Sequence, residues 1–554
     1  MKKYLLLHAT VVLYFIEISI GFSQVDPVNR GLDAISSQSS QAILTYLASD
    51  WMEGREPGTK GHDNAAAYLA SMYQLYGLKP IVELKDPYAL VDNMYFPDNA
   101  FYQNLPLILL NESTGHELSI IKRNGGSDIQ ERFDYKTDFV TSDFVGVPTR
   151  NLSGEFPVVF VGYGLVDEKT GYDDYKGIDV KGKIVLRLRG YPGHNDTSSL
   201  AFKTFKVVRK NVFNYMNYEY DKNKIAIQKG AIGCLEVNME NEALTYQGEN
   251  IFRYNRGRYE SDEPVKDKPS LKMVFMLEDS LKKGLVGYSV SHRLANELTD
   301  GTNINLTDFE NSVKKTLKPA SGELRNKLIK LESKADWELI SARNIIGMIE
   351  GEDPTQVVVV GAHYDHLGKF SGYIFNGSDD NASGTVAVLE IAKACLATGV
   401  KPKRTIIFAA WDAEEMGLYG SKYFLNHPVS GEIFANVNFD MISRNPANDA
   451  EGTYCRVVYT KPYEILKTIT EKFIEGNNLK VVADFNTDEM PSDGTDSDNF
   501  AEKHIPVIFF ESGKHSDYHK PSDESGRANL SKMTEIIRLG FLTVWELANI
   551  EELK

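Results

Sequence analysis

"ASGTVAVLEIAKACLATGVKPKRTIIFAAWDAEEMG", residues 382–417, decides the fold class. Its first half sets Val388, Ile391, Ala392 and Cys395 on one helical face and stops at Gly399. Its second half, "RTIIFAAW", is an unbroken apolar run of strand length, the pattern of a strand buried on both faces. The run then meets two adjacent carboxylates, Glu414 and Glu415. A solvated turn is the plain account of an isolated Glu-Glu pair.

The neighbouring sequence repeats the alternation. "ARNIIGMIEGEDPTQVVVVGAHYDH" reads as two strands joined at Glu352-Asp353-Pro354, "EIFANVNFDMI" and "HIPVIFFESG" as further strands, and "SKMTEIIRLGFLTVWELANI" as a closing helix. Strand and helix in alternation predict an α/β domain with a mixed, largely parallel sheet flanked by helices. Upstream, Leu69, Met72, Tyr73 and Tyr76 fall on one helical face, ended by Gly77 and Pro80. Residues 130–325 differ: short β-rich runs such as "PVVFVGYG", "GKIVLRLRG" and "SLKMVFML" stand between Gly, Asp and Lys turns. "KIAIQKGAIGCLEV" adds one helix-to-strand unit, and the Lys/Glu-rich stretch Thr307 to Ala335 reads as a connector.

At 554 residues the chain exceeds what one core serves, so two or more domains are expected. Its 42% apolar and 25% charged residues are ordinary globular composition. A net charge of -16 makes nucleic acid and anionic membrane surfaces poor partners. "MKKYLLLHATVVLYFIEISIGFSQ" reads as a secretory signal, with Lys2 and Lys3 ahead of an apolar run and Gly21 and Ser23 before a cut at Gln24. Export to the periplasm or the extracellular space is therefore expected. A membrane is a partner only if this segment stays uncleaved. Cys234, Cys395 and Cys455 form no CxxC pair and are expected to be buried and structural.

Ligands of open α/β sheets gather beyond the carboxyl ends of the strands. Beyond "VVVVGA" come His363 and Asp365, and Asp380 follows in "NGSDDNASG". Beyond "TIIFAAW" come Glu414 and Glu415, beyond "NVNF" Asp440, and beyond "PVIFF" the loop with His515, Asp517, Tyr518 and His519. Singly each has a plainer use, as Asp380 could cap the helix that follows it. Polar clusters at successive strand ends have a common use as one site. Imidazoles with several carboxylates select zinc, with manganese or cobalt as alternatives. Two such ions can clamp an attacking oxygen and polarise a carbonyl. His363 and Asp365 would share a face if the strand ran through both, letting Asp365 fix the imidazole tautomer. His366 would point elsewhere.

In order, "GAHYDHLG", "GSDDNASG", "WDAEEMG", "NFDMI" and "SDYHKPSD" resemble the co-catalytic zinc aminopeptidase family related to glutamate carboxypeptidase II and the transferrin receptor. "LASDWMEGREPGTKG" resembles the opening segment of that family, and "VVFVGYG", "YDDYKGIDVKGKIVLRLRG" and "KGAIGCLEV" resemble its inserted protease-associated domain. The resemblance implies a zinc-exopeptidase-like fold. Residues 1–23 would be the signal, 24–130 and 326–554 the two parts of the peptidase domain, and 131–325 the β-rich protease-associated insert. It implies two zinc ions and a peptide substrate. On that pattern Asp380 would bridge both ions, His363 and Asp440 would complete one, and Glu415 and His519 the other. The same pattern would make Glu414 the general base, Asp365 the residue that orients His363, and Tyr518 the counterpart of a Tyr that in some members hydrogen-bonds the tetrahedral intermediate. The implied reaction is release of an N-terminal residue. A carboxypeptidase or dipeptidase with the same metals is the alternative, ahead of a receptor-like or glutaminyl-cyclase-like relative.

Overall fold

The computed structural model describes residues 26–80, 99–110, 115–124, 127–141, 151–208, 222–240, 273–276, 285–334, 337–370, 372–428 and 431–553. The expected signal, residues 1–23, lies outside them. Among the described residues no helix is long and apolar enough to cross a membrane.

A ten-stranded mixed sheet forms the larger lobe. Its order is Met273–Met276, Tyr102–Leu110, Trp337–Ile349, Arg404–Trp411, Asp353–His363, Glu432–Phe439, Val507–Glu511, Tyr454–Thr460 and Val482–Asp488, with Lys79–Pro80 beside Trp337–Ile349. The four middle strands, from Arg404–Trp411 to Val507–Glu511, run parallel, and their neighbours on both sides run antiparallel. All four therefore end at one edge of the sheet.

The parallel centre follows from its side chains. Val357 to Val360 are fully buried and alternate between two cores. Val358, Val360, Phe408 and Val437 pack under the helices Gly384–Ala397 and Leu530–Asn549. Val357, Val359, Ile407 and Trp411 face Phe424 and Phe500 on the other side. Gly384–Ala397 shows more than the one apolar face its periodicity predicts: Gly384 to Ala392 are all buried, because the sheet and the helices Pro27–Ala34, Ser37–Leu47, Lys60–Tyr76 and Leu530–Asn549 enclose it. Gly540 lets Leu530–Asn549 press on the sheet, since a Cβ there would lie 2.5 Å from Phe439 Cζ. The expected upstream helix is Lys60–Tyr76, with Gly77 in the left-handed region at its end.

The smaller lobe is an eight-stranded sheet drawn from His116–Asn124 through Gly322–Ser333. It is wider than the 131–325 read from sequence. His116–Asn124 pairs with Gly322–Ser333, which carries the lobe's edge outward at both ends. The stretch Thr307 to Ala335 is no connector: it holds the helix Leu306–Thr316 and a central strand paired on both sides. Its mixed composition, read as linker, is that of a two-faced strand: Leu324, Ile329 and Leu331 are buried, whereas Glu323, Lys330 and Glu332 are exposed. "SLKMVFML" also changes lobes, since Met273–Met276 pairs with Tyr102–Leu110 at the edge of the larger sheet. All three cysteines are buried.

Candidate metal centre

The shared edge of the four parallel strands collects the polar clusters. His363 is the last residue of Asp353–His363, Glu414 and Glu415 follow Arg404–Trp411, Asp440 follows Glu432–Phe439, and His519 lies in the loop after Val507–Glu511. Asp380 enters from the turn before Gly384–Ala397. That turn sits hard against the strand ends, since a Cβ on Gly384 would lie 2.4 Å from Phe439 O. Ala413, Met441 and His519 have φ of 54°, 54° and 55°, a region that residues with a Cβ rarely adopt and that concentrates at functional sites.

Asp380 divides the cluster in two. Its Oδ1 lies 3.3 Å from His363 Nε2, and its Oδ2 lies 2.9 Å from His519 Nε2. On the first side Asp440 Oδ1 is 3.4 Å from His363 Nε2, with Glu414 Oε2 at 3.8 Å. On the second, Glu415 Oε2 is 3.3 Å from His519 Nε2 and Glu415 Oε1 is 2.6 Å from His366 Nδ1. His363, Asp380 and Asp440 each bring a donor atom within 4.8 Å of the others, and so do His366, Asp380 and Glu415.

The electrostatics reflect crowded acids. Burial works against charge on Asp380, yet hydrogen bonds from His363 and His519 hold its carboxyl well below the ordinary range. Burial pushes Glu414 well above that range despite His363, with Glu415, Asp440 and Asp496 adding repulsion. Burial likewise raises Asp440, partly relieved by His363. His363 is held well above its usual value because Glu414 and Asp440 outweigh its burial.

The donor set fits divalent cations. Asp440 Oδ1 is buried with no hydrogen-bond donor among the described residues, while Asp440 Oδ2 takes the Thr495 hydroxyl at 2.8 Å. A buried acceptor without a donor is costly unless a cation completes it. His363 Nδ1 donates to Asp365 O at 3.2 Å, so Nε2, turned to the carboxylates, is the nitrogen on which a cation would replace the proton. Imidazole nitrogens with carboxylate oxygens are zinc donors, and a carboxylate facing two groups suits a pair of ions.

The structure brings His363, Asp380, Glu414, Glu415, Asp440 and His519 together. Asp365 is beside them. The strand stops at His363, and both the backbone carbonyl of Asp365, at 3.2 Å, and its carboxylate Oδ1, at 3.7 Å, face His363 Nδ1. The carboxylate has a further task that the sequence did not announce: it accepts the backbone N–H of Glu414 at 3.0 Å and of Glu415 at 3.3 Å. The end of the strand also corrects His366, which turns into the second group instead of away. Its place within "HYDH" was the available signal. Tyr518 stacks on His519 with centroids 3.8 Å apart, and burial with the nearby Asp380 and Glu415 charges keeps its phenol protonated. Of the other loop residues, His515 Nε2 lies 3.2 Å from Asp379 Oδ2, and Asp517 takes Arg527 at 3.0 Å.

The sequence model of Peptidase family M28 matches residues 344–542. A glutamate carboxypeptidase 2 homolog of Caenorhabditis elegans is 24% identical over 433 residues, which are 73% of this chain and 51% of the worm protein. Leucine aminopeptidase 2 of Trichophyton rubrum is 30% identical over 170 residues, covering 29% of this chain and 32% of that protein. The chain thus spans about half the length of the first of these relatives. Among solved structures, an aminopeptidase from Aneurinibacillus sp. strain AM-1 aligns over 95% of this chain and 97% of its own, at 16% identity and a TM-score of 0.48.

Proposed function

We propose that this protein, whose residues 344–542 match the model of Peptidase family M28, is a two-zinc metallo-exopeptidase acting as an aminopeptidase. The observation that carries the reading is the sharing of Asp380 between His363 at 3.3 Å and His519 at 2.9 Å. His363 and Asp440 would hold one ion, Glu415 and His519 the other, and Asp380 both, with His366 beside the second set. When bound, such ions supply Lewis acidity toward a peptide carbonyl and acidify water.

The chain's own groups do the rest. Glu414 takes a proton from the attacking water and returns it to the leaving amine. Asp365, gripping the N–H groups of Glu414 and Glu415, fixes where both carboxylates point. The Tyr518 phenol, kept as O–H, donates to oxygen as negative charge develops on it. The smaller lobe, formed within residues 116–333 without Met273–Met276, is read as the protease-associated insert expected at 131–325, and residues 1–23 as an export signal.

An amino terminus is favoured over a carboxyl terminus because, among the described residues, Arg444, Arg456 and Arg527 beside the strand ends are engaged. Arg456 donates to Glu511 at 2.9 Å and Asp493 at 2.7 Å, Arg527 donates to Asp517 at 3.0 Å, and Arg444 pairs with Asp517. A substrate carboxylate would have to displace one of these partners. The relative named glutamate carboxypeptidase 2 homolog keeps a carboxypeptidase as the second reading.

A panel of peptides blocked at either terminus, assayed with and without chelator, tests this. The proposal expects turnover only where the amino terminus is unblocked, lost with chelator and restored by zinc. Turnover of amino-blocked peptides would favour the carboxypeptidase. Activity indifferent to chelator would remove the metal reading.

A further inference from the structure

Glu53, Gly54 and Arg55 lie in succession in the left-handed region, with φ of 49°, 73° and 54°. Two of the three carry a Cβ, so the backbone is held where L residues resist going. Gly54 fits only as glycine, since a Cβ would lie 2.4 Å from Gly368 O and 2.7 Å from Phe375 O. The strained run aims the Arg55 side chain inward, where it is 0% exposed.

The guanidinium bonds backbone carbonyls alone. Nε donates to Tyr364 O at 2.7 Å, Nη1 to Leu47 O at 2.8 Å and Asn376 O at 2.6 Å, and Nη2 to Gly377 O at 2.8 Å. Tyr364 stands between His363 and Asp365, and Asn376–Gly377 leads into Asp380. The planar fork therefore spans two segments that carry the metal donors. Among the described residues no carboxylate forms an ion pair with it. A buried cation without a paired anion is expensive unless nearby charge compensates. The carboxylates whose charge reaches it are Asp365, Asp380, Asp523 and Glu415. Asp380 and Glu415 belong to the candidate metal centre and Asp365 adjoins it, so the charge acts chiefly there.

We propose that Arg55 is a positioning residue and standing counter-charge of the metal centre. Its fork spaces the His363–Asp365 segment from the segment leading to Asp380, and its fixed charge restrains repulsion among the carboxylates before an ion arrives. The inference rests on the metal-binding reading of the same site.

Thermal unfolding of wild type, Arg55→Gln and Arg55→Lys, each metal-free and saturated with zinc, tests it. Metal-free Arg55→Gln should melt on the order of 5 °C below metal-free wild type. Zinc should close most of that gap, so the zinc-induced rise is larger in Arg55→Gln than in wild type. Arg55→Lys keeps the charge without the fork. Its zinc-induced rise should be no larger than that of wild type, with zinc affinity weaker by about tenfold in chelator competition. An equal gap with and without zinc would make Arg55 a packing residue and overturn the proposal. So would an enlarged rise in Arg55→Lys, which also decides the matter if Arg55→Gln does not fold. A wild-type midpoint unmoved by zinc would instead sink the metal reading, and the Arg55 proposal with it.

Discussion

Glu414 and Glu415 are covalent neighbours that face different imidazoles. Glu414 Oε2 lies 3.8 Å from His363 Nε2, whereas Glu415 Oε1 lies 2.6 Å from His366 Nδ1. The left-handed turn at Ala413 precedes them, and Asp365 accepts both of their backbone N–H groups. A strand continuing through this point would also have separated the two side chains, but onto opposite faces of the sheet. The turn keeps both carboxylates at the same edge, one on each side of Asp380.

That division predicts unequal losses. Glu414→Gln should lower kcat by about 10²–10⁴-fold, the range of a general base, with zinc content unchanged. Glu415→Gln should lose the ion on the His519 side. Metal analysis beside turnover checks both, and equal metal loss in the two variants would end the assignment.

Asp365→Asn probes the grip on the turn. An amide presents one oxygen and one NH₂ to two backbone donors, so one N–H loses its acceptor. Unfolding of the metal-free protein should show a loss on the order of 1–3 kcal/mol. Turnover should fall with it, because Glu414 is no longer fixed. A melting curve identical to wild type would mean the two N–H contacts contribute nothing.

His366→Gln and His519→Gln address the second group, where sequence named one histidine and the structure brings two. Each variant should hold about one zinc per chain after dialysis, with the His363 side still filled. His366→Gln retaining two ions at wild-type affinity would leave His366 a neighbour of Glu415 and nothing more.

Much of the larger lobe was legible because its strands announce themselves. "VVVVGAH" and "TIIFAAW" are apolar on both faces, so the parallel centre follows, and with it the edge where ligands collect. The polar clusters at that edge were legible for the same reason. What misled was local conformation. Reading His366 required knowing that the strand stops at His363, and strand ends are set by tertiary contacts that period-two patterning does not carry. Arg55 was invisible, since nothing in "MEGREPG" announces three successive left-handed residues. Gly322–Ser333 was misread because its half-exposed face is Lys- and Glu-rich, which composition alone cannot separate from a linker.

The smaller lobe carries a titration that needs no metal. His116 opens the strand His116–Asn124 that helps join its sheet, buried against Tyr135 and Tyr288, with the Tyr288 hydroxyl 2.9 Å from Nδ1. Burial lowers its pKa to about 4 from the ordinary 6.5. The unfolded chain therefore takes up the proton first as the medium is acidified. Stability from this group is complete above about pH 6.5 and is lost as the pH falls toward 4. Each tenfold difference in proton affinity between the folded and unfolded chain is worth about 1.4 kcal/mol, so the loss approaches roughly 3 kcal/mol. Asn can keep an acceptor near Nδ1 without titrating, so His116→Asn should flatten this limb of the stability curve. Urea unfolding of both proteins at pH 7.5, 6 and 5 measures it. The wild-type advantage should shrink as the pH falls, and a difference that stays constant across the three would show that the imidazole does not titrate between the folded and unfolded states.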